Sequence, residues 1–171
     1  MSPTESLYKS LEAAYDHFNT ELFNGKLPEV IFTVQRQNGL LGYFAPERWA
    51  STKGTKCHEI AINPSHIGSS RVVEVLQTLV HEMVHCWQHC FGKPGRNCYH
   101  NKEWAHKMLD IGLQPTSTGH PGGAITGQHM CDLPIEGGLF LDSCNRLIQK
   151  SFEIPWIDRL ALSKEFTDHL G

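Results

Sequence analysis

With 171 residues, 40% of them apolar and 19% charged, the chain suits a single domain with a buried core, and its composition excludes an intrinsically disordered protein. The formal charge of −3 excludes a strongly basic nucleic-acid-binding protein, although a local basic patch is compatible with it. The first residues lack the pattern of a signal peptide, and no window is apolar enough to span a bilayer. The expected location is therefore cytoplasmic, or associated with a nucleoid or nucleus, without a membrane partner. Most of the six cysteines should be free thiols there.

The first third of the sequence predicts one helix followed by a small sheet. Apolar residues recur at helical spacing over about residues 4–23, and Asn24-Gly25 followed by Pro28 ends this helix. Three β-rich runs follow, which we expect to form an antiparallel sheet, with residues 45–56 as a polar loop before the last run. The runs are Val30–Val34, Leu40–Phe44 (after an Asn38-Gly39 turn) and Glu59–Asn63, which Pro64 stops.

The middle of the sequence predicts a long buried helix and a shorter one after it. Ser69 and Ser70 are candidate N-caps for a helix over about residues 71–91, whose apolar residues cover more than one side. After a polar loop, Asn101 is placed to cap a second helix that runs to Gly112.

The last third predicts loops, one short strand and a further helix. Residues 113–138 are rich in Gly, Pro, Ser and Thr, with a short strand around Gln128–Leu133, and Gly138–Ile148 predicts a helix. We expect one domain over residues 1–171, with a core at about 4–113 and an extension at 114–171 that packs on it. The apolar residues expected to pack in the segment from Glu153 onward are Trp156, Leu160, Leu162 and Phe166.

The most informative segment is His81-Glu82-Met83-Val84-His85. Residues four apart on a helix lie one turn apart on the same face, so both imidazoles can reach one metal ion. The intervening glutamate is carried to the edge of that site, where it can take a proton from a water. This H-E-x-x-H spacing is typical of zinc-dependent peptidases, and the 11 histidines of the chain favour metal chemistry.

A catalytic zinc site usually has three protein ligands and one open position. We favour His100 as the third ligand, because a residue at the start of a helix is held rigidly and can still project into a cleft. His89 would crowd the pair on the same helix, and His106 lies inside the second helix. Glu103 is a rival ligand, as in some zinc aminopeptidases, or a group that accepts a hydrogen bond from a ligand histidine.

Three segments in the same order resemble the SprT-like metallopeptidases. Residues 81–85 fit the pattern H-E-M-x-H, and residues 100–104 fit H-G-x-x-[FW] with asparagine in place of the usual glycine. Residues 23–28 are similar to the family's F-x-G-x-L-P segment, and Glu59–Asn63 resembles its strand before the motif helix. The resemblance covers about residues 7–113.

The resemblance implies an α+β fold of zincin-like build, in which a second helix presents the third histidine. It implies one Zn²⁺ ion held by His81, His85 and His100. It also implies hydrolysis of peptide bonds by a zinc-activated water, with Glu82 as the general base. It also implies protein or peptide substrates, which in this family include proteins bound or crosslinked to DNA. Because the chain has no C-x-x-C pair, we expect a variant without the family's carboxy-terminal zinc ribbon.

Two other functions stay open at this point. A zinc-stabilised, DNA-associated binding module would hold the metal without hydrolysing anything, and an aminopeptidase of the gluzincin type would place Glu103 on zinc. The sequence leaves the oligomeric state open.

Several further residues are candidates for the cleft. Tyr43 and Tyr99 could donate hydroxyl groups to an oxyanion, although packing is the commoner role of such residues. Trp104 could stack on bases beside a basic rim, but its helical spacing favours the core and the net charge favours an ordinary solvated surface. The glycine-rich stretch from Gly119 to Gly127 is either a lid or a simple loop. The basic residues of this rim are Arg36, Arg48, Lys53, Lys56, Lys93, Arg96, Lys102 and Lys107.

Overall fold

A computed structural model describes residues 1–97 and 99–161 of the chain. It shows a mixed α+β fold with two small sheets, as the sequence predicts. The helices are α1 (Pro3–Phe23), α2 (Pro64–Ser69), α3 (Val72–Phe91), α4 (Lys102–Asp110) and α5 (Leu139–Gln149), and a 3₁₀ turn spans Arg159–Ala161. The strands are β1 (Val30–Val34), β2 (Gly42–Ala50), β3 (Lys56–Ile62), β4 (Leu113–Thr116) and β5 (Cys131–Pro134).

Helix α1 has the predicted bounds, because both of its ends carry cap residues. The hydroxyl of Ser2 accepts a hydrogen bond from the backbone N–H of Glu5 at 3.2 Å, and Pro3 fits the first turn. At the other end Asn24 adopts a left-handed conformation with φ of 55°. The buried face of α1 packs into the core through Leu11, Ala14, Tyr15, Phe18, Leu22 and Phe23.

The first sheet has the order β1-β3-β2, so β3 is its central strand. Strand β2 pairs antiparallel with β3, but β1 pairs parallel with β3, and the prediction of a purely antiparallel sheet is therefore wrong. The prediction assumed that strands consecutive in the sequence are neighbours in the sheet. Instead β3 pairs between β1 and β2, which the connection over residues 35–41 allows, and no local sequence pattern specifies this order.

Strand β2 is longer than the sequence predicts, since residues 45–50 belong to it and not to a loop. It is an edge strand whose second half is exposed, so polar side chains are compatible with it. The pairing shifts between Ala45 and Trp49, where Glu47 has a positive φ of 48°. The N–H of Glu47 is bound there by the Nδ1 atom of His58 at 2.8 Å.

The entry to α3 differs from the prediction that Ser69 or Ser70 caps it. Pro64 opens the short helix α2, and Ser69 belongs to that helix. Arg71 is the N-cap residue of α3, and its N–H donates to the carboxylate of Glu74 at 3.1 Å. The predicted start and end of α3 are nevertheless confirmed to within a residue.

Helix α3 lies at the centre of the core, and α4 packs against it. The predicted cap of α4 is confirmed, because the side chain of Asn101 accepts a hydrogen bond from the N–H of Trp104 at 3.1 Å. The buried residues of α3 are Val75, Leu76, Leu79, Val80, Glu82, Met83, Val84, Cys86 and Gln88.

Residues 113–138 contain two short strands, where the sequence predicts one. Strands β4 and β5 form an antiparallel hairpin in which Leu113 pairs with Pro134 and Thr116 with Cys131. The prediction missed β4 because it is only four residues long and contains Pro115.

The carboxy-terminal segment packs Phe152 and Ile154 against the core and also contacts the body through polar groups. The indole N–H of Trp156 donates to the hydroxyl of Ser6 at 2.7 Å, and Arg36 pairs with Asp158 at 3.2 Å. Leu160 is almost fully exposed, so its predicted packing is wrong. The other two predicted packing residues, Leu162 and Phe166, lie outside the described residues.

Among the helices in residues 1–97 and 99–161, none combines the length and the apolar character that crossing a membrane requires.

Candidate metal centre

Three histidine side chains converge in the structure, as the sequence predicts. His81 and His85 lie one turn apart on α3, and His100 lies just before α4. One ring nitrogen from each lies within 4.8 Å of the others. The ring centroids are 5.2 Å apart for His81 and His85, 5.4 Å for His81 and His100, and 4.8 Å for His85 and His100. This cluster could hold a metal ion.

The backbone of His100 is held from two sides. The cap residue Asn101 fixes the start of α4 directly after it. The N–H of His100 donates to the carbonyl of Gly127 at 2.9 Å, and the N–H of Gly127 donates back at 3.1 Å. The last residue of the glycine-rich stretch from Gly119 to Gly127 is therefore hydrogen-bonded to a member of the cluster.

The floor of the cluster is the indole of Trp104. Its centroid lies 5.0 Å from that of His81, 5.5 Å from His85 and 4.5 Å from His100. Trp104 is 0% exposed, which confirms the predicted core role and excludes stacking on bases. The buried Nε1–H of Trp104 has no hydrogen-bond partner within the described part of the chain.

Two residues that the sequence did not single out form a chain of hydrogen bonds that ends at His81. The carboxylate of Asp132 on β5 accepts a hydrogen bond from Nδ1 of His81 at 2.8 Å. The side-chain amide of Gln77 donates to the carbonyl and the carboxylate of Asp132 at 2.7 and 2.6 Å. Gln77 precedes His81 by one helical turn, so the sequence alone could have placed it on the same helix face. Nothing in the sequence indicates that Asp132 contacts His81, which lies 51 positions earlier.

Glu82 is only 7% exposed, and its environment changes its acidity. Burial and the nearby carboxylate of Asp132 raise the pKa of Glu82 to about 7, although the charge of His81 opposes this shift. A carboxyl group with this pKa can both accept and release a proton near neutral pH.

The lowered pKa values of His85 and His100 suit neutral nitrogen donors, whereas the pKa of His81 is raised. Burial, with the charges of His81 and His100, lowers the pKa of His85 far below its usual value. Burial and the charge of His81 lower the pKa of His100 to about 4. Burial also opposes the protonation of His81, but its hydrogen bond to Asp132 and the charge of Glu82 outweigh burial and raise its pKa. Three converging imidazoles fit zinc, which binds imidazole nitrogen in its neutral form.

The structure does not bring Glu103 into the cluster. Its carboxylate accepts hydrogen bonds from the N–H of Lys93 at 2.7 Å and from the amide of Gln88 at 2.9 Å. These bonds tie the loop after α3 to the first turn of α4. Glu103 thus supports the loop that leads to His100.

We expect Glu103→Ala to affect the stability of the fold and His100→Ala to affect zinc binding. Glu103→Ala should lower the free energy of unfolding by about 1–3 kcal/mol, because it leaves the buried amide of Gln88 short of an acceptor, and should retain bound zinc. His100→Ala should weaken zinc binding by more than the roughly 10–100-fold that loss of an outer hydrogen bond costs. Urea unfolding and competition with a chromophoric chelator measure the two effects, and the reverse pattern would identify Glu103 as the third ligand.

The two tyrosines stand apart from the rings of the cluster. Tyr43 points to the face of the first sheet opposite α3, where its hydroxyl donates to the buried carboxylate of Glu59. Its neighbour Phe44 points the other way and contacts His89 of α3. Tyr99 precedes His100 in the chain, but its ring packs under the guanidinium of Arg96 at 4.7 Å.

The other two histidines considered as ligands lie outside the cluster, and half of the predicted basic rim has partners elsewhere. His89 packs against His58 with centroids 5.0 Å apart, and His106 is exposed on α4. Four of the eight basic side chains contact neighbouring carboxylates or rings, which leaves fewer free cations for a nucleic acid. These four are Arg36 with Asp158, Lys56 with Glu47, Arg96 with Tyr99, and Lys107 with Phe23 and Trp87.

Comparisons with known proteins agree with the motif. A model of the SprT-like family matches residues 11–121. Over 47 residues the chain is 40% identical to an uncharacterized protein in the mucB 3′ region of Salmonella typhimurium, an alignment that covers 28% of this chain and 64% of that protein. The match thus spans slightly less than two thirds of that relative. No solved structure matches this chain.

Proposed function

Because this chain belongs to the SprT-like family, we propose that it is a zinc-dependent metallopeptidase of zincin-like fold that hydrolyses peptide bonds. The observation that carries the proposal is the cluster of three imidazoles, whose nitrogens lie within 4.8 Å of one another. Two of them are on α3, the helix that also bears the buried Glu82. Three nitrogen ligands leave one position open, which is the arrangement of catalytic rather than structural zinc sites.

His81, His85 and His100 would hold the ion. When bound, zinc lowers the pKa of water to near 7 and polarises a scissile carbonyl. The chain supplies the shape of the site. Trp104 closes its floor with an apolar surface, and this excludes water from the side of the core.

Glu82 is the proposed proton carrier. Beside a dication its carboxylate form is favoured, and this is the form that accepts a proton from the attacking water. The same side chain then donates that proton to the amine that leaves when the peptide bond breaks. Its burial keeps bulk water from competing for the proton, and desolvation is the main cause that raises its pKa.

We extend the proposal to protein substrates that are bound or crosslinked to DNA in the cytoplasm, on the family resemblance. The net charge of −3 and the occupied basic side chains favour weak contacts of this chain with nucleic acid over tight binding. We therefore expect DNA to act mainly by presenting the substrate.

Zinc removal is expected to abolish cleavage of a denatured protein, and zinc addition is expected to restore it. The assay compares the chelated and the zinc-reloaded protein on an unfolded protein, on the same protein with free single-stranded DNA, and on a protein crosslinked to single-stranded DNA. Gel electrophoresis detects the fragments. Absence of cleavage from all three substrates at full zinc occupancy would contradict the proposal. Faster cleavage of the crosslinked substrate alone would support presentation by DNA.

A further inference from the structure

We propose that the β4–β5 hairpin is an integral part of the metal site, in which Asp132 is a positioning residue that orients His81 and increases its affinity for the metal. The proposal rests on the proposed metal ligands but not on peptide hydrolysis. It assigns a role to a segment of which residues 122–134 lie beyond the part that matches the family model.

The contact between Asp132 and His81 selects one form of the imidazole. A carboxylate can only accept, so the 2.8 Å contact requires that Nδ1 of His81 carries the hydrogen. A neutral imidazole has one N–H, and the lone pair of Nε2 is then free for a metal. A negative charge behind the ring also makes that lone pair a better donor.

Asp132 is itself held in place from α3. The amide of Gln77 binds both its carbonyl, at 2.7 Å, and its carboxylate, at 2.6 Å, so the backbone and the side chain are fixed together. The side chain is buried, and within residues 1–97 and 99–161 its ion pair is with His81 alone. Burying a carboxylate without an arginine or lysine partner costs free energy unless another positive charge lies next to it. A metal-bound imidazole supplies that positive charge.

The loop of the same hairpin orients His100. One carbonyl oxygen, that of Gly127, accepts from the backbone N–H of His100 at 2.9 Å and from its ring Nδ1 at 3.1 Å. His100 therefore has the same tautomer as His81, with hydrogen on Nδ1 and the lone pair of Nε2 available to a metal. A single hairpin therefore contacts two of the three proposed ligands, one through its strand and one through its loop.

Asp132→Asn is expected to weaken zinc binding by about 10–100-fold, because asparagine keeps the size of the side chain but removes the charge behind His81. The matched control is Asp16→Asn, which removes an exposed carboxylate from α1 and should leave zinc affinity unchanged. Competition with a chromophoric chelator measures the affinity of each purified full-length protein. Gln77→Leu leaves the charge but frees the carboxylate, so we expect a smaller loss in the same direction.

A second measurement separates positioning from a general loss of stability. Nitrogen-15 spectra of the metal-free protein above pH 8 report which ring nitrogen carries hydrogen, and we expect Nδ1–H at His81 in the wild type and a shift toward Nε2–H in Asp132→Asn. A merely structural role would lower the unfolding midpoint of the metal-free protein and leave this signature unchanged. If Asp132→Asn does not fold, Gln77→Leu decides the question by the same two readouts.

Unchanged zinc affinity in both variants, or His81 in the Nε2–H form in the wild type, would overturn the proposal. Neither result depends on cleavage. A protein that binds zinc tightly, loses affinity on Asp132→Asn and cleaves nothing would contradict the peptidase proposal while supporting the role of the hairpin.

Discussion

Glu82→Gln is expected to reduce peptide hydrolysis by about 10²–10⁴-fold, the usual contribution of a general base, while zinc affinity stays at the wild-type level. Glutamine has nearly the same size and can still fill a site that is 7% exposed. Its amide has no basic oxygen with which to take a proton from the attacking water. Rates of fragment release from an unfolded protein, measured at equal zinc occupancy, provide the test.

The matched control for this change is Glu59→Gln, which also replaces a buried carboxylate. Glu59 is 3% exposed and accepts hydrogen bonds from Tyr43 and from the indole of Trp49, on the sheet face opposite α3. We expect this variant to lose about 1–3 kcal/mol of unfolding free energy and to keep its activity once folded. If the wild type releases fragments no faster than Glu82→Gln, this site does not cleave the substrate and the chain is better described as a zinc-stabilised binding module.

The parts of the site that the sequence predicts are those encoded within one element. The helical spacing of His81 and His85, and the cap at Asn101 that follows His100, are properties of a few neighbouring residues. Such local patterns determine which face of a helix a side chain occupies. The choice of His100 rested on its place at the start of the second helix and on the family resemblance, and the structure shows that the three histidines are neighbours.

The parts that the sequence does not predict depend on pairing between distant segments. Asp132 contacts His81 only because β5 pairs with β4 and places the hairpin against α3. The parallel pairing of β1 with β3 has the same origin, since each strand carries its own signal but none carries the identity of its neighbour. Tyr43 shows a finer case. The sequence made it a candidate hydroxyl donor for the cleft. Because side chains alternate along β2, its ring lies on the sheet face opposite α3.

Trp104→Ala is expected to lower the free energy of unfolding by about 3–5 kcal/mol, the usual cost of truncating a fully buried aromatic residue. The same change should weaken zinc binding, because the centroid of the indole lies 4.5–5.5 Å from those of all three histidine rings. Without that floor the rings gain rotational freedom, and binding the metal would have to restrict it again. Urea unfolding and chelator competition measure the two effects.

Two further variants show which property of Trp104 matters. Trp156→Ala removes a tryptophan that is 51% exposed and should cost about 1 kcal/mol or less, with no change in zinc affinity. Trp104→Phe keeps an aromatic floor and removes the Nε1–H, which is buried without a partner in the described chain, so relief of that desolvated donor should offset part of the lost volume. We therefore expect Trp104→Phe to stay closer to the wild type than to Trp104→Ala in both stability and zinc affinity. If Trp104→Phe were as damaging as alanine, the indole N–H would have a function that packing alone does not explain, and the floor would have to be regarded as part of the polar machinery of the site.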